Sequence, residues 1–241
     1  MLPMKLEGKT AIITGSSGKL GSQIALALAQ AGCNCICHYN RNQHALDGLT
    51  EKITAVGSKA IAVKADLTSD KQIDKMFSQI ADFAKPDILI NSASIFSRKP
   101  LKNITSEDAR KMLDINLTAA IILSRKFVEL TDTGKIINIS DIAAIRPWAD
   151  YILYSASKAA LNAATKAMAK ELAPDFCVNA IALGIANWPK DITDEEKKRQ
   201  LDFIPASRLP QPNEITQAII FLLKNDYITG QILNIDGGRC I

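Results

Sequence analysis

Residues Thr14–Gly21 read TGSSGKLG, after the short apolar run AII and before an alanine-rich stretch with helical spacing, LGSQIALALAQAG. A glycine turn between a strand and a helix aims backbone N–H groups and the positive helix end at one point. That arrangement holds a phosphate or pyrophosphate. In this reading Gly15 makes the tight turn, and Gly21 lets the helix pack closely on the sheet. Lys19 is the odd member, a long cation in a loop that favours small residues. The glycine spacing is not the usual one, and a plain turn would look similar, so the rest of the chain has to decide.

Outward from this loop, short β-rich runs alternate with longer helical patterns. The strand candidates are 10–14, 33–39, 59–66, 87–93, 134–140, 177–183 and 231–236. Among the helical stretches are SDKQIDKMFSQIADFA, SEDARKMLDINLTAAIILSRKFVEL, SASKAALNAATKAMAKELA and NEITQAIIFLLKN, the last starting at Pro212 or Asn213. Strands that are nearly continuous apolar runs are buried on both faces, as in a parallel sheet. The alternation predicts an α/β fold: one doubly wound, seven-stranded parallel sheet with helices on both faces, as a single domain over residues 1–241. Ligands then bind at the carboxyl ends of the strands.

The composition, 47% hydrophobic and 22% charged with a net charge of +4, is that of a globular protein whose basic residues are spread out. Nucleic acid is not an expected partner, nor is a membrane, since no apolar run spans a bilayer. The N-terminus MLPMKLEGK lacks an apolar signal core, so the expected location is cytoplasmic. Of five cysteines, Cys33, Cys35 and Cys37 alternate along one strand and read as small buried hydrophobes. No metal site is expected.

The second strand narrows the ligand. About twenty residues beyond such a loop, a protein that binds a plain ribose places an acid on its 2′-hydroxyl. Here the strand ends HYNRN, with His38 and Arg41 and no acid. A guanidinium fork matches a 2′-phosphate, and Lys19 adds a second cation. The expected cofactor is therefore NADP(H).

In YSASK, Tyr154 and Lys158 lie four residues apart on one helical face. An ammonium beside a phenol lowers its pKa and readies it for proton exchange.

The TG-x6-type loop, NSAS, Asn116 in DINLT, YSASK and the closing YITGQILNIDGG resemble the short-chain dehydrogenase/reductase family over essentially the whole chain. The resemblance implies Tyr154 as proton donor, Lys158 tuning it and holding the nicotinamide ribose, and Asn116 holding a water in the relay. It places the cofactor along Gly15, Ser17, Lys19, Leu20, His38, Asn40, Arg41, Asp66 (on the adenine), Leu67, Asn91, Ala93, Ser94, Tyr154, Lys158 and Gly184.

Three departures stand out. The family's serine thirteen residues before the tyrosine is Asp141 here, with Ser140 adjacent and an alternative if the register shifts. Lys19 takes the place of the middle glycine, and NNAG becomes NSAS, followed by Phe96. Ser92 thus replaces an asparagine that braces the fourth strand, and Leu183 a proline.

Together the departures resemble the pteridine reductase subgroup. This implies a pterin stacked on Phe96, with Lys19, Ser94, Asp141, Tyr154 and Trp188 (of Asn187-Trp188-Pro189) around it. Phe96 as plain core and Trp188 as a structural residue stay open. The expected activity is NADPH-dependent reduction of a dihydropterin or dihydrofolate, in a homotetramer. The alternatives are a carbonyl reductase, such as one for 3-oxoacyl thioesters, and a non-catalytic NADP(H)-binding sensor.

Overall fold

The computed structural model describes residues 4–188 and 192–241. The strands are β1 (Thr10–Ile13), β2 (Asn34–Tyr39), β3 (Ala60–Lys64), β4 (Ile88–Asn91), β5 (Gly134–Asp141), β6 (Phe176–Leu183) and β7 (Ile232–Ile235). They form one seven-stranded parallel sheet in the order β3-β2-β1-β4-β5-β6-β7. Each lies where the sequence placed it, trimmed at its ends except for β5 and β6, which run one residue longer. β6 stays paired up to Leu183, opposite Ile235, where a proline would have brought no N–H.

The helices are α1 (Lys19–Gln30), α2 (His44–Ala55), α3 (Asp70–Phe83), α4 (Ser106–Leu113), α5 (Ala119–Leu130), α6 (Ile152–Glu171), α7 (Asp194–Leu201) and α8 (Pro212–Lys224). They bury two apolar layers, one on each face of the sheet. Alternation along the strands feeds both. Ala11 and Ile13 join the layer packed by α1, α2 and α8, whereas Ile12 joins the layer packed by α3, α5 and α6. Cys33, Cys35 and Cys37 all enter the first layer as free thiols. Burial pushes the Cys33 and Cys37 thiols up to about 12, as expected of small buried hydrophobes.

The stretch 106–130, read as one helix, contains a π-helical turn at Asp114–Thr118 between α4 and α5. Asn116 is the buried residue of that turn, and such bulges often serve a site.

β1 pairs with both β2 and β4, so the connection reverses direction there and a crevice opens beyond its carboxyl end. The glycine loop fills one wall of it. Gly15 has φ +68°, and a Cβ at Gly21 would lie 2.3 Å from the Gly15 carbonyl oxygen. Only glycine permits α1 to sit this close to the turn. Gly21→Ala is therefore expected to force α1 off the loop, costing about 1–3 kcal/mol and weakening nucleotide binding. Thermal melts and a cofactor titration check both, and a variant matching the parent in each would contradict the close packing.

Candidate active site

The predicted site residues gather at the carboxyl ends of the strands, and the loop is braced from both sides. The Gly15 N–H donates to His38 Nδ1 at 3.1 Å, and His38 Nε2–H donates to the Ala65 carbonyl at 3.0 Å. Both ring nitrogens are thus spent, the side chain is 2% exposed, and burial lowers its pKa. This corrects the expectation for His38. It is a neutral strut under the glycine turn, and its side chain offers nothing to a phosphate. On the other side Thr14 Oγ1 accepts the Ser92 and Ala93 N–H groups at 2.9 and 3.0 Å.

α1 begins at Lys19 behind Gly18, with no side-chain cap and no acid in its first turn. A lysine at a helix N-terminus opposes the macrodipole. Lys19 and Arg41 are both exposed, and among the described residues neither makes an ion pair. An uncapped helix end with two free cations suits a polyanion, so these residues fit a phosphorylated dinucleotide. Asn40 is exposed and Ser17 and Leu20 are half-buried along the same wall. The Asp66 carboxyl is held below its usual range by Thr68, whose N–H and hydroxyl bond it at 3.0 and 2.7 Å, and more weakly by Arg41. Leu67 packs in the core layer with α3 and also lines a small cavity of the crevice beside Thr14, Asn91 and Lys158.

Asn91 is likewise corrected. It is buried, and its Nδ2 donates to Asn138 Oδ1 at 2.9 Å, bracing β4 to β5. This brace stands in for the asparagine missing at Ser92. Asn91 Oδ1 is unpartnered and lines a cavity of about 10 Å³ together with Thr14, Asn116 and Lys158, room for about one water.

Asn116, on the π-turn, accepts from the Ile95 N–H at 2.8 Å and donates to the Ile95 carbonyl at 3.0 Å. It also accepts from Ser94 Oγ at 3.1 Å and donates to Ser157 Oγ at 3.1 Å. Two donors and two lone pairs are thereby used. The side chain fixes the Ser94–Ile95 loop, and the expected water-holding role is not one its amide performs.

Tyr154 donates its hydroxyl proton to Asp141 Oδ2 at 2.8 Å, while Asp141 Oδ1 accepts the Ala143 N–H at 2.7 Å. Ser140 faces elsewhere, donating to Asn162 Oδ1 at 2.6 Å, so the open choice resolves to Asp141. Burial raises the Asp141 carboxyl above its ordinary value. Tyr154 departs from expectation: burial and the Asp141 charge push its phenol up rather than down. Lys158 stands 5.8 Å from the ring centroid and donates to the Ile139 carbonyl at 2.9 Å. Its own pKa falls to about 8 through burial.

Phe96 is 53% exposed, which removes it from the core. It stacks on Tyr151 with centroids 4.7 Å apart and meets Tyr154 edge-on at 4.7 Å, and Trp148 abuts Tyr151 at 5.8 Å. Tyr151 and Trp148 were not singled out from the sequence, although Tyr151 lies three residues before Tyr154 at the start of α6. Trp188 is half-buried beyond Gly184, and Pro189 lies outside the described residues. Gly184 is held tight, since a Cβ there would lie 2.9 Å from Asp236 Cα.

A dinucleotide crevice beside a buried tyrosine, lysine and carboxyl group defines an oxidoreductase site. Residues 15–239 match the family model described as Enoyl-(Acyl carrier protein) reductase. A 3-oxoacyl-[acyl-carrier-protein] reductase of Synechocystis sp. is 35% identical, covering 97% of each chain. A FolM alternative dihydrofolate reductase 1 of Brucella canis, solved with NADP, superposes with TM-score 0.92 at 27% identity, over 98% of this chain and 95% of that one. A Serratia marcescens short-chain dehydrogenase/reductase superposes equally well, with TM-score 0.92 at 28% identity over 99% and 100% of the two chains. The chain belongs to the short-chain dehydrogenase/reductase family.

Lys158 generates a stability test. Its folded pKa of about 8 lies below the ordinary value of 10.5, so between these values the unfolded chain binds more protons and stability rises with pH. Lys158→Met is expected to stabilise the cofactor-free protein at pH 7 by about 1–3 kcal/mol and to flatten that slope. Melts from pH 7 to 10.5 decide it; a lower Tm at pH 7 would contradict the buried-charge cost.

Proposed function

We propose that the protein is an NADPH-dependent pteridine reductase acting on a dihydropterin or dihydrofolate. The observation that carries the reading is the Asp141 carboxyl, 2.8 Å from the Tyr154 hydroxyl, beside the half-exposed ring of Phe96. A carboxylate here would repel a developing alkoxide unless protonated, so carbonyl reduction is better served by the family's usual serine. A ring nitrogen that must gain a proton is well served. The NADP complex of the Brucella relative supports the same direction, whereas the name of the Synechocystis relative favours 3-oxoacyl thioesters.

In the proposed arrangement Arg41 and Lys19 hold the cofactor phosphates, Asp66 the adenine, and Lys158 the nicotinamide ribose. Bound NADPH supplies the hydride. Phe96, backed by Tyr151, offers one face to a flat ring. Ser94 and Lys19 meet its polar edge, and Trp188 borders it from the loop beyond Gly184. Tyr154 gives its hydroxyl proton to the ring nitrogen as the protonated Asp141 carboxyl returns one to the phenol oxygen. The raised Asp141 pKa keeps that proton available closer to neutral pH, so turnover falls as pH rises through it. A homotetramer is the proposed assembly, with exposed Leu113 and Ile121 on the outer helices available to a neighbouring copy.

NADPH oxidation is followed with a dihydropterin, dihydrofolate and a 3-oxoacyl thioester. Turnover on a pterin is expected, reduced about 100-fold or more by Tyr154→Phe and about tenfold by Asp141→Ala, the latter also losing the alkaline fall. Thioester turnover alone would overturn the reading, and NADPH binding without turnover on any of the three would favour a sensor. For the cofactor, Arg41→Ala is expected to weaken NADPH about tenfold or more and leave NADH unchanged. Equal losses for both nucleotides, measured by fluorescence titration, would remove Arg41 from the 2′-phosphate.

A further inference from the structure

α7 buries no residue of its own, and the chain that follows it, through Ile204, Ala206 and Arg208, overlies a cavity of about 330 Å³. Apolar packing therefore does not fix this helix. What holds it is polar and comes from residues 236–241. Arg239 donates from Nη1 to the Gln200 carbonyl at 3.2 Å and from Nη2 to Gln200 Oε1 at 2.6 Å. Arg146, in the loop that follows β5 and Asp141, donates to the Arg239 carbonyl at 3.0 Å. The Ala206 N–H, just past α7, donates to the Gly237 carbonyl at 3.0 Å. The Asp236 carboxylate, accepting from the Gly238 and Cys240 N–H groups at 3.0 and 2.9 Å, shapes this short segment.

Arg239 also ties this arrangement to the side of the site that carries Asp141. Its carbonyl accepts from Arg146 in the loop after β5, five residues beyond Asp141. α7 is thereby linked, through Gln200 and Arg239, to the loop that follows Asp141.

We infer that Arg239 is a positioning residue: by its two bonds to Gln200 it fixes α7 against the loop after β5, on the Asp141 side of the pocket. The chain's own residue 239 thereby shapes the substrate side of the site without touching the nucleotide crevice. The inference concerns whichever substrate the site accepts, so it survives a failure of the pterin reading.

Two measurements test it. Limited trypsin digestion, with cleavage at Lys197, Lys198 and Arg199 mapped by mass spectrometry, reads the anchoring of α7 directly and needs no substrate. Cleavage is expected to be about tenfold faster or more in Arg239→Ala, which loses both bonds to Gln200, and less so in Gln200→Ala, which keeps the bond to the main-chain carbonyl. The double variant should be no faster than Arg239→Ala, and Gln200→Glu, which keeps the acceptor, should match the parent. Steady-state kinetics on the substrate that turns over, pterin or thioester, should show KM raised about tenfold with kcat and NADPH affinity held. Unchanged cleavage in the single variants, additive effects in the double, or an unchanged KM would each overturn the assignment. A shortfall in pterin turnover with thioester turnover intact would instead count against the proposed substrate.

Discussion

The crevice depends on how the end of β1 is tied to its two neighbours. Thr14 is buried there, its hydroxyl donating to the Ile90 carbonyl at 3.3 Å and accepting two N–H groups from the turn after β4. One residue on, the Gly15 N–H is captured by His38 of β2. Two main-chain turns are thus anchored to side chains that cannot move without leaving buried groups unpaired. Between them the loop keeps its left-handed glycine and α1 its close approach. Every other site feature is referred to this frame: Asn116 hangs the Ser94–Ile95 loop from it, and Asn91 fixes β5, and with it Asp141, to β4.

Charge decides what the frame can do. In the usual family pattern a hydroxyl faces the tyrosine; here a carboxyl does, and the tyrosine donates to it. The pair then holds its proton more firmly than a phenol beside an ammonium would. Lys158 is drawn down toward neutrality by burial while Asp141 is drawn up. Two opposed shifts in adjacent groups are what acid–base chemistry near pH 7 requires. The cost is a buried charge, a cost that function rather than folding explains.

Much of this was legible in the chain. Period and strand length placed all seven strands, because a parallel sheet buried on both faces writes itself as apolar runs. α7 was missed for the opposite reason: DEEKKRQL has no apolar stripe, since the helix buries nothing. The π-turn was invisible, as Asn116 sits in an unbroken helical pattern. His38 was placed against the cofactor because it neighbours Arg41 at the strand end, and only its two bonds show a buried neutral ring. Tyr154 was misjudged in direction because spacing on a helix shows that Lys158 is near but not that Asp141 is nearer. Arg239 carried no motif at all, its partners being set by tertiary folding of a tail against a distant helix.

The breaches of local rule deserve weighing together, since a chain that folds well satisfies propensity, capping, burial and pairing at once. Lys19 opens a helix against its dipole with no cap. Among the described residues Lys158 is buried without a carboxylate in direct contact and Asn91 Oδ1 has no partner, and Phe96 leaves half its ring exposed. Each is unfavourable for stability alone, and each lies at the carboxyl rim of β1, β4 or β5 or on the helix facing it. Exposed apolar rings also occur elsewhere, at Phe203, Phe221 and Tyr227, so exposure alone does not mark the rim. Under the proposed function one set of ligands would relieve three of the four together: anionic groups for Lys19, a flat ring for Phe96 and a hydroxylated sugar for Lys158. The unfavourable features and the family resemblance therefore meet at the same crevice.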